Sequence, residues 1–141
     1  MTDPYNLQRF VDAQDAVFEK VLAELRAGEK RSHWMWFIFP QLKGLGRSEM
    51  ADTFGVSSQR EAEAYLLHPL LGSRLRECSR LVNMVEGRSI EQIFGYPDDL
   101  KFHSSMTLFL FASATADNEV FEGALRKYFG GKRDPRTVER L

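Results

Sequence analysis

The sequence predicts an all-α fold, a compact single domain of about seven or eight helices packed around a buried central helix. Three observations predict it. Apolar residues return at three- and four-residue steps along most of the 141 residues, the spacing that lines one face of a helix. Serines, prolines and glycines fall where such helices would start and stop. No run alternates apolar and polar residues beside hairpin turn chemistry, and no internal repeat or low-complexity segment breaks the chain. With 43 % hydrophobic and 12 % aromatic residues, residues 1–141 can bury one core, and the composition is the opposite of a disordered chain.

Taken in order, Leu7, Phe10, Val11, Gln14, Phe18, Val21, Leu22 and Leu25 predict a first helix, opened by Asp3-Pro4 or Asn6 and closed by a left-handed turn at Gly28. Residues 29–32 form a polar connector. Residues 33–39 concentrate two tryptophans and two phenylalanines without a charge after His33, which demands burial because each aromatic removes about 150–250 Å² from water. This segment reads as a short buried helix or irregular stretch ended by Pro40, since a lone strand would have no partner. Ser48 caps a short helix through Phe54, and Ser58-Gln-Arg-Glu61 is a capping-box pattern. His68-Pro69 breaks that helix and begins another, whose face runs from Leu71 to Val85 before Gly87. Ser89 starts a single turn ended by Gly95. Asp98 or Asp99 caps a helix from about Leu100 to Ala114, apolar on nearly all sides from Met106 to Phe111, as a central helix would be. Asn118 opens an amphipathic helix closed by Gly130-Gly131, and Asp134-Pro135 starts a last short turn.

Charge and cysteine usage narrow the classes. Nineteen basic and twenty acidic residues leave a formal charge of −1, which supports neither nucleic acid nor a membrane surface as partner. The longest strongly apolar run, Met106–Ala112, is too short to span a bilayer. The amino terminus, Met-Thr-Asp-Pro-Tyr-Asn, lacks the pattern of a signal peptide, so a soluble cytoplasmic protein is expected. A single cysteine, Cys78, excludes an intramolecular disulfide. It reads as a small buried hydrophobe, or as a thiolate among Arg74, Arg76 and Arg80.

Two stretches carry candidate chemistry. Gly44-Leu-Gly46-Arg47-Ser48 combines flexible backbone, a helix start and a guanidinium, features that suit an anion; a turn before a capped helix accounts for the same residues. Asp98-Asp-Leu-Lys-Phe-His-Ser-Ser105 is the densest polar cluster, placed at the mouth of the most apolar helix. Its aspartates suit the helix dipole, and its lysine suits a salt bridge. His33, His68 and His103 show no metal-ligand spacing, so no metal and no cofactor are expected.

With those motifs in view, the chain resembles an uncharacterised bacterial family, domain-of-unknown-function family 1810. The resemblance rests on Leu-Gln-Arg-Phe-Val-Asp-Ala-Gln at 7–14, His-Trp-Met-Trp-Phe-Ile-Phe-Pro-Gln at 33–41 and Gly-Leu-Gly-Arg-Ser at 44–48, with Glu-Ala-Tyr-Leu-Leu-His-Pro at 63–69 and Leu-Lys-Phe-His-Ser-Ser-Met-Thr-Leu-Phe at 100–109. It implies a mostly helical single domain and brings no established activity. Members sometimes carry the label calpastatin, but inhibitors of that name resemble long, disordered, charge-rich chains. A fainter similarity, the aromatic block with a later Lys-Phe pair opening a helix, links the chain to proteins of the NADAR type, which act on ADP-ribose-linked nucleobases; no catalytic residue is carried over from it.

Two functions follow as expectations. The first is a site for a small anionic molecule, nucleotide- or ribose-like, between 33–47 and the start of the 98–111 helix. There Trp36 would stack on a ring and Gln41 would read a polar edge. Lys43, Arg47 and Lys101 would meet anionic oxygens, with His33, Ser104 and Ser105 lining the site; in a hydrolysis, Asp99 or His103 would move the proton. The alternative is a non-catalytic protein-interaction module, which exposed Tyr and Phe on the 120–129 helix would favour.

Overall fold

The computed structural model describes residues 2–114 and 117–141. Among them are ten α-helices, α1 Gln8–Asp15, α2 Phe18–Ala27, α3 Met35–Ile38, α4 Glu49–Thr53, α5 Gln59–Leu67, α6 Leu71–Met84, α7 Ile90–Phe94, α8 Asp98–Ala112, α9 Glu119–Phe129 and α10 Pro135–Val138. The only β feature among the described residues is one parallel bridge, Leu42 to Val56. None of these helices is long and apolar enough to cross a membrane.

The start of the chain follows the sequence in its caps but not in its continuity. The Asp3 carboxylate accepts the N–H groups of Leu7 and Gln8 at 2.8 and 3.0 Å, and Gly28 closes α2 at φ 71°. Between them the expected single helix breaks at Val17 (φ −131°, ψ 0°). The apolar spacing continues across this point, so no local signal marks it. The break lets the two halves serve different neighbours: α1 packs on α3, and α2 on α6. Gln14 belongs to the inward face and is fully engaged there. Its amide donates to the Phe37 carbonyl at 2.7 Å and the Tyr65 hydroxyl at 3.0 Å, so its burial leaves no orphaned donor.

The aromatic segment forms one helical turn, α3, flanked by Trp34 and Phe39 and buried except at Trp36. Residues 41–56 then make an excursion pinned at both ends. Lys43 N–H donates to the Val56 carbonyl at 2.8 Å, and Val56 N–H to the Gln41 carbonyl at 2.9 Å. Ser48 caps α4 as expected, accepting the Ala51 N–H at 3.0 Å. At α5 the Ser58 hydroxyl caps Glu61, but Glu61 turns its carboxylate to the N–H and hydroxyl of Ser57 rather than completing a reciprocal box at Ser58. Ser89 and Gln92 do complete one at α7. The His68 ring nitrogen caps the start of α6 through Leu70 and Leu71.

Helix α8 is the hub, packed by α5, α7, α9 and α10. Phe102 sits edge-on to Phe39 at 5.0 Å and tilted to Phe94 at 5.0 Å, while Phe109, further along, packs on Tyr65 and Phe121. The aromatic segment therefore meets α8 through Phe102, near its first turns, and Phe111 is 44 % exposed. Neither Asp98 nor Asp99 caps α8: the cap position is Pro97, and both aspartates occupy the first turn, where the dipole favours them.

Candidate binding cavity

Three elements, α8 among them, line a half-open cavity of about 340 Å³, within the range of small-molecule sites. The 41–51 excursion supplies Gln41, Leu45, Gly46, Arg47, Ser48 and Ala51. The start of α8 and the turn before it supply Tyr96, Pro97, Leu100, Lys101 and Ser104, and α10 supplies Arg136. The lining holds three cations and no carboxylate. At its rim Tyr96 and Leu100 are 74 % and 50 % exposed.

Each wall has a local cause. Gly44 adopts φ +95°, a conformation that favours glycine, and a side chain there would meet the Arg140 guanidinium at 3.2 Å. A Cβ at Gly46 would lie 2.6 Å from the Ala51 Cβ, so the second glycine is required by packing against α4 rather than by an anion. Helix α4 is a single turn of five residues, and its Ala51 amide is already taken by Ser48. The Ala51 amide is thus not open to an anion, and the charge that 44–48 offers is that of Arg47. That guanidinium is exposed and makes no hydrogen bond or ion pair among the described residues.

The third wall is held by a hydroxyl network. Asp134 accepts from the hydroxyls of Ser104 at 2.7 Å and Thr137 at 2.6 Å, and its own N–H donates to the Thr107 hydroxyl at 2.9 Å. These bonds clamp α10 to α8. From there Arg136 donates to the Leu45 carbonyl at 3.1 Å and bridges to the excursion.

Of the residues singled out from sequence, Gln41, Arg47, Lys101 and Ser104 line this cavity. Trp36 lies behind it with Gln41 and Lys101, in a recess of about 10 Å³. That recess is too small for a ring, and the Lys101 ammonium already stands 5.2 Å from the indole centroid, so the side of Trp36 next to the cavity is taken. The others lie elsewhere. Lys43 faces Asp52 at 4.0 Å and borders a separate depression beside Arg9. His33 is exposed outside the cavity. Ser105 is fully buried, with its hydroxyl unpartnered among the described residues. His103 stacks on Phe129 at 4.0 Å, and its Nε2 lies 2.7 Å from the Lys132 carbonyl. Asp99 is outside the lining, with one carboxylate oxygen buried and unpartnered. A helix shows one residue in three or four to any neighbour, so a dense polar run on α8 is necessarily divided among faces. Sequence reasoning did not single out Tyr96, Leu100 or Arg136. A local signal existed for the first two, apolar side chains around a Pro-containing turn; none existed for Arg136, whose Leu45 contact spans 91 positions.

The aromatic face of α9 turns inward: Phe121 is buried and the Tyr128 hydroxyl donates to the Val82 carbonyl at 2.6 Å. Burial drives the Cys78 thiol up to about 12, so it carries no thiolate, and the small-hydrophobe reading fits its packing. No cluster of three metal-ligating side chains occurs among the described residues.

Comparison with known proteins agrees with this architecture. Residues 4–141 match a family described as "Protein of unknown function (DUF1810)". The crystal structure of the conserved hypothetical protein Rv1873 from Mycobacterium tuberculosis superposes with a TM-score of 0.96 at 60 % sequence identity, covering 99 % of this chain and 98 % of that one. The search of curated proteins gave no match. From the extent of the match, the chain belongs to the DUF1810 family.

Proposed function

We propose that the cavity between the 41–51 excursion, α8 and α10 binds a small anionic molecule of nucleotide- or ribose-like character. The single observation that carries this reading is the charge of its lining: Arg47, Lys101 and Arg136 converge from three elements on one hollow that contains no carboxylate. Like charges gathered in a low-dielectric cleft repel one another and focus a field that attracts an anion. Guanidinium groups suit phosphate because their donors form a planar fork. The exposed ring of Tyr96 and the side chain of Leu100 provide the apolar shelf on which a planar base or ribose would lie, the role expected of Trp36 from sequence. Gln41 supplies an amide for a polar edge. The proposal is one of binding: Asp99 and His103 stand outside the lining and give hydrolysis no acid or base there. The inward turn of the α9 aromatics weighs against the interaction-module alternative.

The test is thermal shift and calorimetry with ADP, ADP-ribose, pyrophosphate and adenosine. ADP and ADP-ribose are expected to raise the melting temperature, since a ligand at a hundred times its Kd adds about 2.7 kcal/mol to apparent stability, and adenosine to do so far less. Arg47→Ala and Arg136→Ala should each weaken ADP about tenfold, the size of one charge-assisted contact. Absence of a shift with every probe at millimolar concentration overturns the reading.

A further inference from the structure

We propose that Lys30, which lies outside the cavity, is a positioning residue for it: by drawing Asp98 to itself it leaves the ammonium of Lys101 only partly compensated and so available to an anion in the cavity. This rests on the anion-binding reading above and adds the device that sets the charge of the site.

Lys30 sits in the connector after α2, with a side chain only 8 % exposed. Lysines are rarely buried unless paired, and this one is fixed from three sides. Its N–H donates to the Ile93 carbonyl at 2.8 Å, its ammonium contacts Asp98 Oδ2 at 2.9 Å, and the same ammonium stands 5.2 Å from the Trp34 ring centroid. Trp34 is itself anchored, donating its indole N–H to Glu24 at 3.0 Å. Asp98 thus faces two cations, Lys30 through Oδ2 and Lys101 through Oδ1, the latter at a looser 3.5 Å. One carboxylate between two ammonium groups leaves a net positive charge. Because the attraction falls with distance, the carboxylate is committed to the shorter, more buried partner. The unmatched charge then lies with Lys101, the member of the three that lines the cavity. Without Lys30, Asp98 is one turn from Lys101 on the same helix and would close on it, cancelling one of the three cations of the site.

The experiment compares wild type with Lys30→Met, which keeps much of the volume, Lys30→Arg, Asp98→Asn and the double variant Lys30→Met/Asp98→Asn. ADP affinity is measured by calorimetry. The reactivity of Lys101 towards trace reductive methylation is measured by mass spectrometry against exposed Lys132 and needs no ligand. Lys30→Met is expected to weaken ADP about tenfold and to slow labelling of Lys101, while Lys30→Arg keeps both near wild type. Neutralising Asp98 in the double variant should restore both, a rescue that a merely structural lysine would not show. Asp98→Asn alone should leave ADP binding intact and speed labelling, which keeps the test decisive if Lys30→Met does not fold. Unchanged labelling of Lys101 in Lys30→Met, a failed rescue, or weaker ADP binding in Asp98→Asn overturns the inference. If wild type binds no ADP, the anion-binding reading fails, and the labelling result still decides whether Lys30 controls Lys101.

Discussion

Arg9 and Arg47 both contact the 41–56 region, and they stand at opposite extremes of satisfaction. Every nitrogen of the Arg9 guanidinium is engaged. Nε donates to the Thr53 carbonyl at 2.9 Å, Nη1 to Tyr5 and Asn6, and Nη2 to the Gly55 carbonyl and the Glu61 carboxylate. Glu61, 3 % exposed, also accepts both the N–H and hydroxyl of Ser57. Arg47 lies in the same excursion, exposed, with none of its donors engaged among the described residues. The residue type is identical, so the type carries no information about role. A guanidinium whose donors are all spoken for holds the fold; one left open faces solvent or a ligand.

The largest expected effect lies on the saturated side. Arg9→Met strands the Glu61 carboxylate in the interior and should cost about 3–5 kcal/mol in urea denaturation, the usual consequence of removing one partner of a buried pair. Arg47→Ala should stay within about 0.5 kcal/mol of wild type, as surface substitutions do, while weakening ADP. Equal stability losses in the two variants would break the comparison.

Glu24 sharpens it with a second saturated hub. Burial works against its carboxylate, but the Ser32 hydroxyl, the Arg31 N–H, the Trp34 indole and the Ser32 N–H outweigh it and hold the group at about 2 against an ordinary 4.5. A folded-state value below the unfolded one means stability that is fully present above the unfolded value and lost as pH falls towards the folded one. Wild type should therefore lose stability between about pH 4.5 and pH 2 through this group. Glu24→Gln should be about 2 kcal/mol less stable at pH 7 and show a shallower acid limb in a pH series of melts.

The smallest effect is expected at Ser105, whose buried hydroxyl is unpartnered among the described residues. Ser105→Ala should be stability-neutral within about 0.5 kcal/mol or slightly stabilising, because an unsatisfied polar group is being removed. ADP affinity should not change. A fall in affinity would return Ser105 to the site.

Legibility followed the range of the interaction. Caps at Ser48, Ser58, Ser89 and Gly28 were readable because a cap is settled within four residues. The interior position of Met106 to Leu110 on a central helix was readable because burial leaves a compositional trace. The break at Val17 left none, since its cause is the separate partners of α1 and α2. Within the cavity, Gln41, Arg47, Lys101 and Ser104 were found by their flanking oily segments. Arg136 was not, and His103, a proton-transfer candidate by sequence, meets Phe129 and the Lys132 carbonyl instead, because a polar run on a helix does not say which neighbour each face will meet.

The amino-acid order alone determined that this chain is helical, where most helices stop, and that most of Trp34–Phe39 and Met106–Phe111 lies inside, since periodicity, capping and apolar content act over a few residues. Tertiary structure alone decided which charged groups distant in the chain meet. Arg9 met Glu61 across 52 positions and was saturated, while Arg47, Lys101 and Arg136 met around a hollow without a carboxylate. Electrostatic satisfaction depends on distances between parts of the chain that only packing brings together.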